Sequence, residues 1–243
     1  MAMRIVACLN GDRRPGAHPA LPVSADQLAA DARAVVAAGA TWLHVHPRDS
    51  RGGQALEPQV VTPLLAKLRA AVPGVPISVT TGLSAEPDPW RRYDLVQRWG
   101  ALPDAATVDL AEPGAVEVAR LLADRQVALE ARLGTVQAAR ILTASGLADA
   151  FAYVLIGPAE PTVAQALETV TAVEAVLDRA GVALPRLLHG REQTAWPLLD
   201  TAIAADRDIR IGLEDTLLAP DGQEAEDNAG LVSQALARIA AHA

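Results

Sequence analysis

Short apolar runs alternate with longer amphipathic segments from one end of the chain to the other. That alternation predicts repeated strand–helix units around a parallel sheet. The first run, Arg4 to Leu9, stops at the turn pair Asn10-Gly11, and a loop with Pro15, Pro19 and Pro22 follows. Ser24 then stands where a helix cap belongs, with Gln27 three positions on as in a capping box, and Gly39 is a natural C′ residue for that helix. The later units read in the same way. Strands are predicted over 41–46, 76–80, 105–109, 127–131, 152–156, 186–189 and 209–213, and helices over 58–72, 88–99, 113–124, 134–145, 161–180, 193–206 and 227–241. Eight such units in 243 residues, with no linker or composition break, predict one domain over 1–243, an α/β chain folded as a (β/α)8 TIM barrel.

Composition narrows the role rather than the fold. Hydrophobic residues make up 51% of the chain, enough for a large core, and the net charge is −8. An acidic surface argues against nucleic acid or an anionic membrane as partner, since both select basic proteins, so a small-molecule ligand is expected. The lone Cys8 excludes an internal disulfide and any multi-cysteine metal site. Met1-Ala2-Met3-Arg4 runs into the first strand without a signal-peptide pattern, and no apolar run is long enough to span a membrane. A soluble, cytoplasmic protein is expected on these grounds.

Barrel enzymes place their chemistry at the C-terminal ends of the strands. The polar residues found there are Asn10, His44 and His46, Thr80 and Thr81, Asp109, Glu130, His189, and Glu214 with Asp215. Within apolar strands such residues are costly unless paired or ligated. His44 and His46, at i and i+2 on one strand, point to one face, and strand eight returns beside strand one, so Glu214 can complete a His2Glu set. That set suits Zn2+ with open positions for substrate, and other divalent metals would accept it. The alternative is a pair of hydrogen-bonded barrel histidines, with Glu214 bound to Arg48 or Arg210. Arg210 and Glu214 fall on one face of Arg210-Ile211-Gly212-Leu213-Glu214, with Gly212 giving room for substrate or metal. Asp215, polarised by Arg210, is then a candidate general base, or else the cap of a turn. Lys67, the only lysine, falls on an outer helix, which argues against Schiff-base chemistry, and Cys8 reads as core.

Asn10-Gly11, Ala38-Gly39-Ala40, His44-Val45-His46-Pro47-Arg48-Asp49, Thr80-Thr81-Gly82 and Arg210-Ile211-Gly212-Leu213-Glu214-Asp215, with Asn228 downstream, together resemble the β-keto acid cleavage enzymes, also called 3-keto-5-aminohexanoate cleavage enzymes, over nearly the full length. The resemblance implies a zinc-dependent acyl transfer with C–C bond cleavage. A β-keto acid condenses with acetyl-CoA as cosubstrate, releasing acetoacetate and a new acyl-CoA. It makes His44, His46 and Glu214 the metal ligands and Asp215, with Arg210, the catalytic pair, with the carbanion expected at the acetyl-CoA methyl. Thr80, Thr81, Asn10, Arg48 and Glu130 are the candidate substrate contacts, Glu130 by binding a substrate amine or instead by pairing with Arg132. The family's strand-three serine is Thr80 here, and the shorter chain implies trimmed pocket loops. Two other readings stay open: a metal-dependent aldolase or hydrolase acting without CoA, and a barrel that binds metal or keto acid without turnover. A homo-oligomer is expected, with Trp90, Trp99 and Trp196 on the outer helices available either for subunit contact or for packing.

Overall fold

A computed structural model describes residues 3–242 of the chain; Met1 and Ala2, part of the segment read above for a signal peptide, lie outside the described residues. Eight parallel strands close into a barrel in sequence order. They are β1 (Ile5–Cys8), β2 (Trp42–Val45), β3 (Ile77–Thr80), β4 (Ala105–Asp109), β5 (Ala128–Leu133), β6 (Phe151–Ile156), β7 (Arg186–Leu188) and β8 (Asp208–Ile211). The ring shuts where β1 pairs with β8, Val6 opposite Arg210. Each strand is followed by a helix: α1 (Ala25–Ala37), α2 (Pro58–Ala71), α3 (Pro89–Gln97), α4 (Ala115–Asp124), α5 (Val136–Ala144), α6 (Val163–Arg179), α7 (Ala195–Ala204) and α8 (Asn228–His242). This is the TIM barrel that the alternation predicts, with boundaries displaced by a residue or two.

Local chemistry sets those boundaries. Ser24 caps α1 through a reciprocal capping box with Gln27, and Asp88 caps α3 by accepting from the N–H groups of Trp90 and Arg91. Both satisfy donors that a helix start leaves unpaired. Gly39 follows α1 at φ +112, and a Cβ there would strike Leu236 of α8 at 2.5 Å. Only glycine meets both demands.

Strand alternation sorts the side chains into two layers. Leu43, Val45, Ile77, Val79, Ile209 and Ile211 face outward into the main core beneath the helices. Val6, Cys8, Tyr153, Leu155 and Leu187, with Trp42 against them, form a small apolar plug inside the barrel. Below it the Arg4 guanidinium sits 4.7 Å from both the Trp42 and Tyr153 ring centroids. The inward positions nearer the strand ends are His44, Ser78, Thr80, Thr107, Glu130 and Arg210, all buried. The apolar plug thus forms a floor, and the polar side chains stand above it at the C-terminal mouth.

Trp99 and Trp196 are packing residues rather than surface ones. They are 1% and 8% exposed, and their indole N–H groups donate to the carbonyls of Leu56 and Leu218 at 2.8 Å. Of the three tryptophans available for subunit contact, Trp90 alone is exposed, at 74%. Lys67 lies on α2 and pairs with Asp26 of α1. Among the described residues no helix is long and apolar enough to cross a membrane.

Candidate functional site

His44 occupies the third position of β2, and its ring enters the barrel on the same face as Trp42. His46 lies just beyond the strand, and its place is fixed by Asn10: the His46 N–H donates to Asn10 Oδ1 and the Asn10 amide donates to the His46 carbonyl, both at 2.9 Å. Asn10 therefore holds the end of β2 to the end of β1 through both its amide nitrogen and its amide oxygen. The two rings are 5.2 Å apart, nearly perpendicular.

Glu214 arrives from the other side. β8 ends at Ile211, earlier than the sequence suggests, because the chain turns: the N–H groups of Asp215 and Thr216 both donate to the Gly212 carbonyl, at 2.8 and 3.0 Å. Gly212 does not make room for substrate or metal, as expected from its place between Arg210 and Glu214. A Cβ there would lie 2.0 Å from the Cys8 carbonyl oxygen and 2.9 Å from Asn228 Oδ1, so the glycine lets the β8 turn pass against β1. Asn228 locks that turn, accepting from the Leu213 N–H at 2.7 Å and donating to the Leu9 carbonyl at 2.8 Å.

The turn brings both carboxylates onto Arg210. Its Nε donates to Asp215 at 3.1 and 3.2 Å, and its Nη2 donates to Asp215 Oδ1 at 2.7 Å and to Glu214 Oε1 at 2.6 Å. Burial works to raise the Glu214 carboxyl, and the Arg210 charge outweighs it, holding the group well below the usual carboxylate range. Asp215 is likewise held down by Arg210 against its own burial. Burial drives His44 down to about 3 in spite of Glu214, so its imidazole is neutral, the form that ligates a metal.

His44 Nε2 stands 3.8 Å from Glu214 Oε2, and His46 Nε2 stands 3.7 Å from Glu214 Oε1. Two ligand atoms each about 2.1 Å from one ion lie no more than about 4.2 Å apart, so both carboxylate–imidazole separations accommodate a shared ion. Glu214 Oε2 is buried and has no hydrogen-bond partner, a costly arrangement for a carboxylate oxygen unless something else meets its lone pairs. Among the described residues the metal-capable group is His44, His46 and Glu214. The outer nitrogen of His46 faces Gln54 Oε1 at 2.5 Å, a pure acceptor, which leaves Nε2 free to ligate.

These groups open into a cavity of about 230 Å³ that Thr80, Thr107, Asp109, Arg132, Arg191 and His189 also line. Thr80 Oγ1 accepts from the Gly82 N–H at 3.1 Å, leaving its own hydrogen to offer to a ligand. Asp109 pairs with Arg132, and Asp12 with Arg191, on the cavity wall. His189 sits behind Asp215, its Nδ1 3.5 Å from Oδ1.

Four other candidate substrate contacts lie elsewhere. Arg48 donates to the carbonyls of Gly52, Gly11 and Arg13, so its guanidinium ties the β1 and β2 loops together and is not paired with Glu214. Thr81 donates to the Thr107 carbonyl at 2.8 Å, and Asn10 is committed to His46. Glu130 binds neither Arg132 nor the cavity: it accepts from the hydroxyls of Ser78, Thr107 and Tyr153 inside the barrel. Ser78 and Gln54 are not among the residues that the sequence reading points to. Ser78 does carry a signal, a polar residue two before Thr80 on the inward face of an apolar strand; Gln54 carries none.

Comparison with known proteins adds the following. The family model for beta-keto acid cleavage enzymes matches residues 3–243. No curated protein matches the sequence significantly. Among solved structures, ObcA in a ternary complex with a C4-CoA adduct and oxalate superposes with a TM-score of 0.75 at 14% identity, over 92% of this chain and 64% of that one. ObcA with oxaloacetate gives 0.69 at 15% identity, over 88% and 62%. The 3-dehydroquinate dehydratase of Geobacillus kaustophilus HTA426 gives 0.62 at 16%, over 97% and 91%. At these identities the likeness is one of fold, and the chain spans less than two thirds of the length of the ObcA structures.

Proposed function

Because the chain belongs to the beta-keto acid cleavage enzyme family, we propose that it converts a β-keto acid and acetyl-CoA into acetoacetate and a new acyl-CoA, with a divalent metal, zinc by ligand type, held by His44, His46 and Glu214. The observation that carries this reading is the convergence of those three side chains beside Arg210 and Asp215 at the mouth of the barrel. The likeness in fold to ObcA, solved with a C4-CoA adduct, is in keeping with CoA as a partner.

When bound, the metal supplies Lewis-acid polarisation of the substrate ketone. The proton to be removed is fixed by the products. A carbanion on the acetyl-CoA methyl, as the resemblance first suggests, cannot yield acetoacetate and a new acyl-CoA, because the methylene and carboxylate of acetoacetate must come from the β-keto acid. Asp215 therefore takes a proton from the methylene between the substrate's ketone and carboxylate. That carbon attacks the acetyl thioester carbonyl and expels CoA thiolate. The thiolate adds to the original ketone, the bond from that carbon to the methylene breaks, and Asp215 returns the proton to the departing acetoacetate carbon. Arg210 keeps the resting Asp215 ionised and holds its carboxyl in direction while it takes and returns the proton, and the Thr80 hydroxyl, with its hydrogen free, donates to the substrate carboxylate.

The test is mass-spectrometric analysis of products from a panel of β-keto acids labelled with 13C at the methylene. Label in acetoacetate, together with a new acyl-CoA formed only when acetyl-CoA is present, is the expected result. Cleavage without CoA would identify an aldolase or hydrolase instead, and metal and keto acid binding with no product would identify a non-catalytic barrel.

A further inference from the structure

Glu130 sits midway along β5 and is 2% exposed. Oε2 accepts from Ser78 Oγ at 2.7 Å and from Thr107 Oγ1, and Oε1 accepts from the Tyr153 hydroxyl. A carboxylate can only accept, so all three hydroxyls must spend their single hydrogen on it. Burial raises the Tyr153 phenol well above its usual value, which keeps that donor protonated.

This has a consequence one residue away. Ser78 Oγ and Thr107 Oγ1 also lie 3.2 and 3.4 Å from His44 Nδ1. With their hydrogens committed to Glu130, they present only lone pairs to the imidazole. Nδ1 must therefore carry the ring hydrogen, and the Nε2 lone pair is left on the side that faces Glu214. A neutral imidazole in water favours the opposite tautomer, with its hydrogen on Nε2, which cannot ligate through that atom.

We infer that Glu130 is a positioning residue which, acting through the Ser78 and Thr107 hydroxyls, locks His44 in the tautomer that offers Nε2 to a metal. The inference rests on the metal site proposed above and deepens it. It gives the two histidines equivalent support by different means, Gln54 holding His46 directly and Glu130 holding His44 through two hydroxyls. It also accounts for a carboxylate enclosed in the barrel that neither binds an arginine nor reaches the cavity. Partners of this kind commonly change metal affinity about 10–100-fold.

The tautomer can be read without metal or turnover. In 15N-histidine-labelled apoprotein, long-range 1H–15N spectra assign the hydrogen of each ring nitrogen, and His44→Asn identifies the resonance among the five histidines. The wild type is expected to show His44 with its hydrogen on Nδ1 alone. Glu130→Leu, which removes the acceptor and frees the Ser78 and Thr107 hydrogens to turn towards Nδ1, is expected to show a mixture and to bind zinc about 10–100-fold more weakly by chelator competition. Ser78→Ala combined with Thr107→Val keeps Glu130 and deletes the link, so it guards against misfolding of the first variant and should shift the tautomer and the affinity in the same sense. An unchanged tautomer and zinc affinity in the double variant overturns this inference alone. Failure of the wild type to bind zinc overturns the metal reading and this inference with it.

Discussion

Asp31→Asn should make the protein more stable at alkaline pH, although Asp31 lies on the outer helix ring and not in the cavity. Asp31 is half-buried on α1 and accepts from the Asn228 amide at 2.7 Å. Burial lifts its carboxyl from 3.8 to about 7, against the pull of that hydrogen bond and with help from nearby Asp227. A carboxyl raised on folding favours the protonated native state, so its contribution is greatest below the unfolded value and is lost as pH rises towards 7. Each tenfold change in acidity between the folded and unfolded chain corresponds to about 1.4 kcal/mol. Between pH 5 and pH 8 the wild type therefore loses about 2–3 kcal/mol at this position, trimmed to about 2 kcal/mol by screening of a partly exposed group. The variant's amide oxygen accepts from Asn228 in the same way, and the amide never ionises. Urea denaturation of both proteins at pH 5 and pH 8 isolates the effect, because every other titrating group is common to the pair. The stability gain of the variant over wild type should grow by about 2 kcal/mol from the lower pH to the higher, or about 4–8 °C in Tm for a chain of this size. A gain that is the same at both pH values, or a loss at both, refutes the reasoning. The effect reaches the site because Asn228 also holds the N–H of Leu213, the residue before Glu214.

Three further outcomes follow from the same geometry. Gly212→Ala drives a Cβ into the Cys8 carbonyl, backbone against backbone, and should cost more than about 4 kcal/mol or abolish folding; a stable variant with wild-type urea midpoint would contradict it. Arg210→Met leaves Glu214 and Asp215 buried without their cation, at a cost of about 3–5 kcal/mol near neutrality. Both carboxyls then rise, so the variant should regain stability as pH is lowered, which pH-dependent denaturation reads directly. Asn10→Ala strips the His46 N–H and carbonyl of their partners in a buried place, costing about 1–3 kcal/mol for each group left unpaired. It should also weaken zinc binding, seen by chelator competition, more than an exposed control such as Thr171→Ala does.

The scaffold is legible in the sequence because the barrel repeats one simple pattern eight times. The capping box at Ser24, the glycine after α1 and the inward polar residues of β2 and β3 all follow from local rules that need no knowledge of the rest of the chain. β8 shows where local rules stop. Alternation carries the strand on to Leu213 and places Glu214 by parity, whereas the chain turns at Gly212 because β1 passes close beneath it, a contact between residues some two hundred positions apart. Arg48 and Thr81 read as ligand contacts because polar residues at strand ends usually face the mouth, yet the terminal nitrogens of Arg48 bind loop carbonyls and the Thr81 hydroxyl donates to the Thr107 carbonyl. Glu130 is visible as a polar residue in an apolar strand, but its role depends on hydroxyls from three other strands. Those partners come together only when the barrel closes. Gln54 belongs to a loop whose path is set by what it folds against, so nothing in its neighbours announces it.

The metal site is the claim on which the chemistry depends, and metal stoichiometry tests it most directly. Protein stripped with chelator, reloaded with zinc and dialysed should retain one equivalent by elemental analysis. Glu214→Gln, which keeps the hydrogen bond from Arg210 but replaces the unpartnered Oε2 by an amide nitrogen, should retain little or none. Wild-type protein that holds no zinc or other divalent metal, or a variant that holds one equivalent with unchanged affinity, would contradict the assignment of His44, His46 and Glu214.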